Sequence, residues 1–167
     1  MKQLIHRIVV SIIVVCLSAC ASSPIQDCTG EYDFKVSGHV TKDAAQIIVL
    51  PNETGTMEMT HLSDSTYMLT FNTINGCAYT TRATVSGNQV EMNPFIRTIE
   101  LSFKKQESNI LGIPIEIIQT EIYNTEVYGF GTIYGDIIHF NLQYLGTEFV
   151  GNNTIKGSDI LMIANKK

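Results

Sequence analysis

The sequence predicts an all-β domain: an antiparallel hairpin meander closing into a roughly 8–10-stranded barrel, with a two-sheet β-sandwich as the rival arrangement. Three observations carry this expectation. Apolar and polar side chains alternate with period two along most of the chain, glycine-containing turn signals recur at hairpin spacing, and one nine-residue element appears three times.

The first element is a leader. Lys2 and Arg7 give a positive start, and Ile8 to Leu17 is an apolar run broken only by Ser11. A helix of that length reaches about 15 Å, half of a bilayer core of about 30 Å, so the run reads as a secretion signal and not as a span. It ends in Leu17-Ser18-Ala19-Cys20, which resembles the lipobox of bacterial lipoproteins. The resemblance implies lipid transfer to the Cys20 thiol, cleavage before it, and acylation of the new amino terminus with a chain such as palmitate. Two or three acyl chains hold a protein stably where one, at roughly 0.8 kcal/mol per buried CH₂, does not. Ala21, where retained lipoproteins commonly carry aspartate, resembles the outer-membrane-sorted class. Ala21 to Gln26 is small and polar with no acidic cluster, so the expected tether is flexible and faces the periplasm. The expected organisation is a signal peptide over 1–19, a lipidated tether over 20–29 and a single β-barrel domain over 30–167.

Removing the leader leaves 148 residues, with nine basic against sixteen acidic side chains and a formal charge of −7. A chain of this length buries roughly 68–70% of its unfolded surface, enough for one core. No basic patch is present, so nucleic acid is not an expected partner.

Cys16 leaves with the leader and Cys20 carries the lipid, so Cys28 and Cys77 remain. In an oxidising compartment they are expected to form a disulfide, stapling the start of the domain to a strand in its middle. Closing their loop would contribute about 4 kcal/mol in the chain-entropy account. No C-x-x-C spacing or neighbouring histidine points to a redox or metal pair.

Strand patterns follow in order. Tyr32, Phe34 and Val36 alternate with Glu31, Asp33, Lys35 and Ser37, and the same period of two runs through Tyr67, Leu69 and Phe71, then Ile99, Leu101 and Phe103, then Ile138, Phe140, Leu142 and Tyr144. Ten candidate strands cover 31–40, 45–50, 55–61, 65–72, 77–86, 89–93, 97–104, 121–134, 137–145 and 159–165, with a break of 121–134 at Gly129-Phe130-Gly131 as an option. The repeated element is "TVSGNQVEM" (Thr84–Met92), "TIYGDIIHF" (Thr132–Phe140) and "TIKGSDILM" (Thr154–Met162). Glycine followed by Asn, Asp or Ser supplies the positive φ of tight hairpins, so three hairpins are expected, with a fourth turn at Asn75-Gly76. In "NILGIPIEIIQTEIYN", the β-branched residues and Gly112 favour extended structure, and a short helix starting at Pro114 is the alternative.

"GEYDFKVSG" at the start of an all-hairpin body resembles the calycin or lipocalin-like group of small barrels, over most of residues 30–165. That group usually carries Gly-x-Trp on its first strand, where this chain has Gly30-Glu31-Tyr32. The resemblance implies a barrel with an interior ligand.

Catalytic chemistry finds little support. No G-x-S-x-G, P-loop or dinucleotide fingerprint appears, and Glu100, Glu116, Glu121 and Glu126 stand singly. His39, His61 and His139 lack ligand spacing, so neither a catalytic residue, a metal nor a cofactor is expected. Tyr32, Phe34, Tyr67, Phe71, Tyr79, Phe103, Phe140 and Tyr144 would share the inward face of a barrel. They either fill it as core or line a cup with tyrosine hydroxyls as polar handles. Two functions therefore stand open: a membrane-tethered barrel holding a small apolar or amphipathic ligand, or a non-enzymatic structural or interaction lipoprotein, an accessory subunit or inhibitor with a filled core and a protein partner.

Cys20→Ser is expected to leave the precursor uncleaved by the lipoprotein peptidase, read as an unshifted band after inhibitor-free expression. Normal processing of that variant would contradict the lipobox.

Overall fold

The computed structural model describes residues 27–108 and 111–167. The leader, Cys20 and the tether to Gln26 lie outside the described residues. Strand dominates the rest: β1 (Gly30–Ser37), β2 (His39–Lys42), β3 (Gln46–Val49), β4 (Glu53–Ser63), β5 (Thr66–Thr73), β6 (Ala78–Ser86), β7 (Gln89–Ser108), β8 (Pro114–Tyr134), β9 (Ile137–Glu148) and β10 (Thr154–Lys166).

Neighbours pair antiparallel in the order β1-β4-β5-β6-β7-β8-β9-β10, and β10 returns to β1, from Ser37↔Leu161 to Tyr32↔Lys166. This last pairing closes an eight-stranded barrel and decides against the sandwich. β2 continues β1 beyond Gly38, pairs with β10 at Ile155 and Lys156, and turns back into β3. The inward row is apolar: Tyr32, Phe34 and Val36 on β1 face Met57 and Met59 on β4 and Ile160, Met162 and Ala164 on β10. Outward rows carry Glu31, Asp33 and Lys35, or Thr56, Glu58 and Thr60, the reverse of the lipid-facing apolar band of a membrane-spanning barrel. No helix among the described residues is long and apolar enough to cross a membrane.

Two copies of the repeat are hairpins. Gly87-Asn88 joins β6 to β7 and Gly135-Asp136 joins β8 to β9, each glycine at a φ near +60° that a Cβ would disfavour. The Asn75-Gly76 turn between β5 and β6 is also present. The third copy is not a hairpin. Gly157-Ser158 lies inside β10 at a bulge, where the pairing with β9 shifts register between Gly157 and Ile160. There β10 transfers from β2 to β1, and a Cβ on Gly157 would meet Ile160 Cδ1 at 2.7 Å.

Two other expectations change, and two open options are decided. The candidate strands 89–93 and 97–104 are one strand, β7, bulged between Met92 and Phe95, where Pro94 is tolerated. β8 runs unbroken through Gly129-Phe130-Gly131. Gly131 faces inward, and a Cβ there would meet Phe140 Cδ1 at 2.7 Å and Val90 Cγ1 at 2.8 Å, so it makes room for a ring. Residues 31–40 divide at Gly38 into β1 and β2. The ambiguous segment is strand from Pro114, not helix, and it pairs with β7 as a ribbon out to Ser108↔Pro114.

The expected Cys28–Cys77 disulfide is absent; both thiols are free, Cys28 buried and Cys77 exposed. They sit at opposite ends of the barrel. The Tyr32 hydroxyl donates to the Cys28 carbonyl at 2.7 Å, and the Cys28 thiol lies beside Tyr67. The Cys77 amide instead donates to Thr73 Oγ1 at 3.0 Å. Tyr67 and Thr73 bracket β5, some six steps apart at about 3.3 Å each, whereas a bridge needs Cα atoms within about 7 Å. Oxidising surroundings favour a bridge only between thiols that can meet. In the native chain without reductant, a maleimide probe is expected to label Cys77 at once and Cys28 only after denaturation. Resistance of both until reduction would restore the bridge.

Candidate functional site

The eight aromatics expected to line the barrel all serve its interior, and they fill it. Tyr32, Phe34, Tyr67, Phe71, Phe140 and Tyr144 are buried, and Tyr79 and Phe103 pack half-buried against the same core. Phe34 meets Phe71 edge-on at 5.6 Å, Phe71 stacks on Tyr79 at 4.7 Å, and Tyr79 stacks on Phe95 at 5.0 Å. The gap left among Phe71, Tyr79, Met92, Phe95 and Tyr144 is about 10 Å³, against roughly 300 Å³ for a small-ligand pocket. Among the described residues most of these rings pack as core, and Tyr144 and Phe103 also border open space at one end. An eight-stranded barrel has an interior that side chains just fill.

Open space lies at the end away from Cys28. β6 and β7 diverge beyond Ala83↔Met92, where β7 bulges at Asn93-Pro94, so they no longer pair when they reach this end. A cleft of about 420 Å³ opens there, lined by Val36, Leu50, Asn52, Glu53, Thr73, Cys77, Arg97, Ile99, Ile122 and Tyr144. The Arg97 guanidinium forms its floor. It grips the Glu53 carboxylate with both forks, at 2.9 Å and 3.0 Å, reaches the Tyr79 hydroxyl at 3.3 Å, and lies 4.8 Å from that ring's centroid. Both charges are largely out of water, at 14% and 16% side-chain exposure, so each depends on the other. Burial pushes the Tyr144 phenol up to about 12, with Arg97 opposing that rise and Glu53 adding to it. Burial does the same to Tyr32, also up to about 12.

A second polar node closes the other side of this end. Lys42 at the end of β2 donates to Glu121 Oε1 on β8 at 2.6 Å, with Gln119 at 3.0 Å and Asn153 at 3.4 Å on the same oxygen. The Tyr123 hydroxyl donates to Oε2. The Lys42 ammonium also sits 4.3 Å from the centre of the Phe103 ring. With four donors on one carboxylate, the node ties the β2–β3 hairpin, the β7–β8 ribbon and the β9–β10 loop together. A hollow of about 290 Å³ beside it is lined by Lys42, Gln46, Phe103, Lys105 and Glu121, among others.

These four charged residues shape the candidate site and were not assigned to it by sequence reasoning, which read Glu121 only as one of four single carboxylates. Arg97 stands in phase with Ile99, Leu101 and Phe103, Glu121 with Tyr123 and Val127, and Lys42 with Val40. A charge in an apolar row was the available signal. Glu53 follows irregular chain and had none. The structure does not bring the histidines together: His61 lies against Asp64 and Tyr67, and His139 against Tyr134. No group of three or more His, Cys, Asp or Glu among the described residues is placed to hold a metal ion.

No protein-family model matches the chain, and no curated protein matches it. A solved structure of a redesigned β-barrel is similar to it at 13% identity and a TM-score of 0.41, covering 87% of this chain and 99% of that one. The barrel is read from the strand pairings themselves.

Glu53→Gln is expected to lower unfolding free energy by about 3 kcal/mol, because Arg97 keeps a buried, uncompensated charge. Glu53→Leu with Arg97→Met should recover most of that loss, both read by chemical denaturation. Alkali provides a second test. Folded Tyr32 and Tyr144 hold their protons up to about 12, against about 10 in the unfolded chain, so the folded state binds the extra protons between these values. Stability should be full below about pH 10 and decline as pH rises toward about 12, seen as a falling denaturant midpoint across an alkaline series. A flat series would contradict burial of these phenols.

Proposed function

We propose that this chain is a lipid-anchored protein of the bacterial envelope that works by contact between its surface and another protein, neither enclosing a ligand nor catalysing a reaction. One observation carries the contact reading: the middle of the closed barrel is close-packed, with about 10 Å³ left among its central rings. A closed wall around a full core is a rigid platform, and what it offers a partner is its mouth and its projecting ribbon. The lipobox-like Leu17-Ser18-Ala19-Cys20 supports the anchor, and Ala21 supports the outer membrane and its periplasmic face. The polarity of β1 and β4, charged or polar outside and apolar inside, agrees with a barrel held beside a membrane by its terminus.

A second reading rests on the mouth cleft. Its volume of about 420 Å³, its apolar walls of Val36, Leu50 and Ile99, and its Arg97 and Tyr144 floor suit a small amphipathic ligand. A fluorescent fatty-acid probe titrated into the full chain separates the two. The contact reading expects no saturable binding. Saturable binding displaced by lipid extract, and weakened by Thr98→Trp at the cleft rim, would replace it with the ligand reading.

A further inference from the structure

The β7–β8 ribbon reaches beyond the barrel, and its two long edges differ. β8 pairs with β7 along its whole length but with β9 only from Tyr123 to Tyr134. The Phe149 amide caps the end of that pairing by donating to the Ile122 carbonyl at 2.8 Å. From Pro114 to Glu121 the edge has no strand beside it among the described residues. Because the Ile122 carbonyl points to this side, the period of two sends the N–H and C=O groups of Glu116, Ile118 and Thr120 the same way.

Exposed edges are usually guarded by charge, and the two edges differ in how much they carry. β7 displays Lys104, Lys105 and Glu107. β8 displays Ile115, Ile118 and Ile122, at 43%, 75% and 45% exposure. Between Pro114 and Glu121 its one exposed charge is Glu116, neutralised by Lys104 at 2.5 Å across the ribbon, while Glu121 is held in the buried Lys42 node.

We propose that two copies of this chain join edge to edge along β8, as an antiparallel pair about a two-fold axis at Ile118. The occupant follows from the match of this edge with itself. In that register Ile118 faces Ile118 of the second copy, Glu116 faces Thr120, and Pro114 faces Ile122, so no like charges meet. The ladder ends are complementary too. Pro114 has no N–H to donate, and the Ile122 carbonyl that would have accepted it is already held by Phe149. Moving the centre to Glu116 would oppose two carboxylates. Moving it to Thr120 would run the ladder into Asn124, which β9 already pairs through Thr147. The two ribbons would form one four-stranded sheet between two barrels, with the Cys28 ends outermost. This inference stands apart from the anchor and from any ligand, since it uses the β8 edge alone.

The full chain, purified in mild detergent and carrying Cys77→Ser to remove the exposed thiol, provides the test. Ile118→Cys in that background should give a covalent dimer with a short bis-maleimide, and Thr98→Cys on the β7 edge should not. By light scattering, the mass without added cysteines should rise toward twice the monomer with concentration. Ile118→Lys, which opposes two ammonium groups at the axis and leaves the exposed ribbon backbone intact, should hold it monomeric with an unchanged circular dichroism spectrum. A monomer at every concentration would overturn the proposal. So would a dimer that survives Ile118→Lys, or cross-linking through Thr98→Cys in place of Ile118→Cys.

Discussion

Everything in this structure depends on β10 closing against β1. Without that pairing, β1 and β10 would be free edges of a curved sheet, and the interior would have no fixed volume. With it, eight strands set a lumen that Phe34, Phe71, Tyr32, Met57, Phe140 and Met162 occupy to near completeness. Local features answer to the closure. The bulge at Gly157 and the division at Gly38 let one strand change partners as it leaves the wall, and Gly131 gives up its side chain so that Phe140 fits.

At the mouth the wall stops being continuous, and the molecule turns to charge. β7 departs from β6 at Pro94, and the opening is held by Arg97 on Glu53. Opposite, Lys42 on Glu121 draws the β2–β3 hairpin to the ribbon. Buried ion pairs seldom exceed apolar packing in stability, but each demands its partner in one place. Two such pairs give this end a defined shape that apolar packing, with strands diverging, would leave loose. The other end needs neither, because Cys28, Tyr32 and Tyr67 close it as ordinary core. The polarity of the two ends therefore differs, and the features open to a partner or ligand gather at one of them.

Legibility in the sequence followed the range of the forces involved. Alternation on β1, β5, β7 and β9 placed the inward aromatics, since period two is a property of each strand alone. The same local reasoning found the turns at Gly87-Asn88 and Gly135-Asp136. It then read Gly157-Ser158 as a third, because a tight turn and a bulge both suit glycine before a small polar residue. What separates them is whether the following strand folds back or continues to a new neighbour. The Cys28–Cys77 expectation failed for a related reason. Compartment and count argue for a bridge, but only the barrel axis says that β5 stands between the two thiols. Arg97, Lys42 and Glu121 were visible as charges standing in apolar rows, yet their partners come from distant strands that no spacing relates.

By itself, the sequence determined the all-β class, the antiparallel hairpins, the inward face of most strands and the resemblance of Leu17 to Cys20 to a lipid-attachment site. These are consequences of side-chain order along one strand or one short segment. Tertiary structure alone decided that the sheet closes, that most of the eight aromatics pack as core while a cleft opens beside Tyr144 at one end, and that the charged residues pair across the mouth. It also left one edge of β8 open while β7 is guarded. These outcomes turn on which strands become neighbours and how much volume closure leaves, quantities that exist only once the ends of the sheet have met.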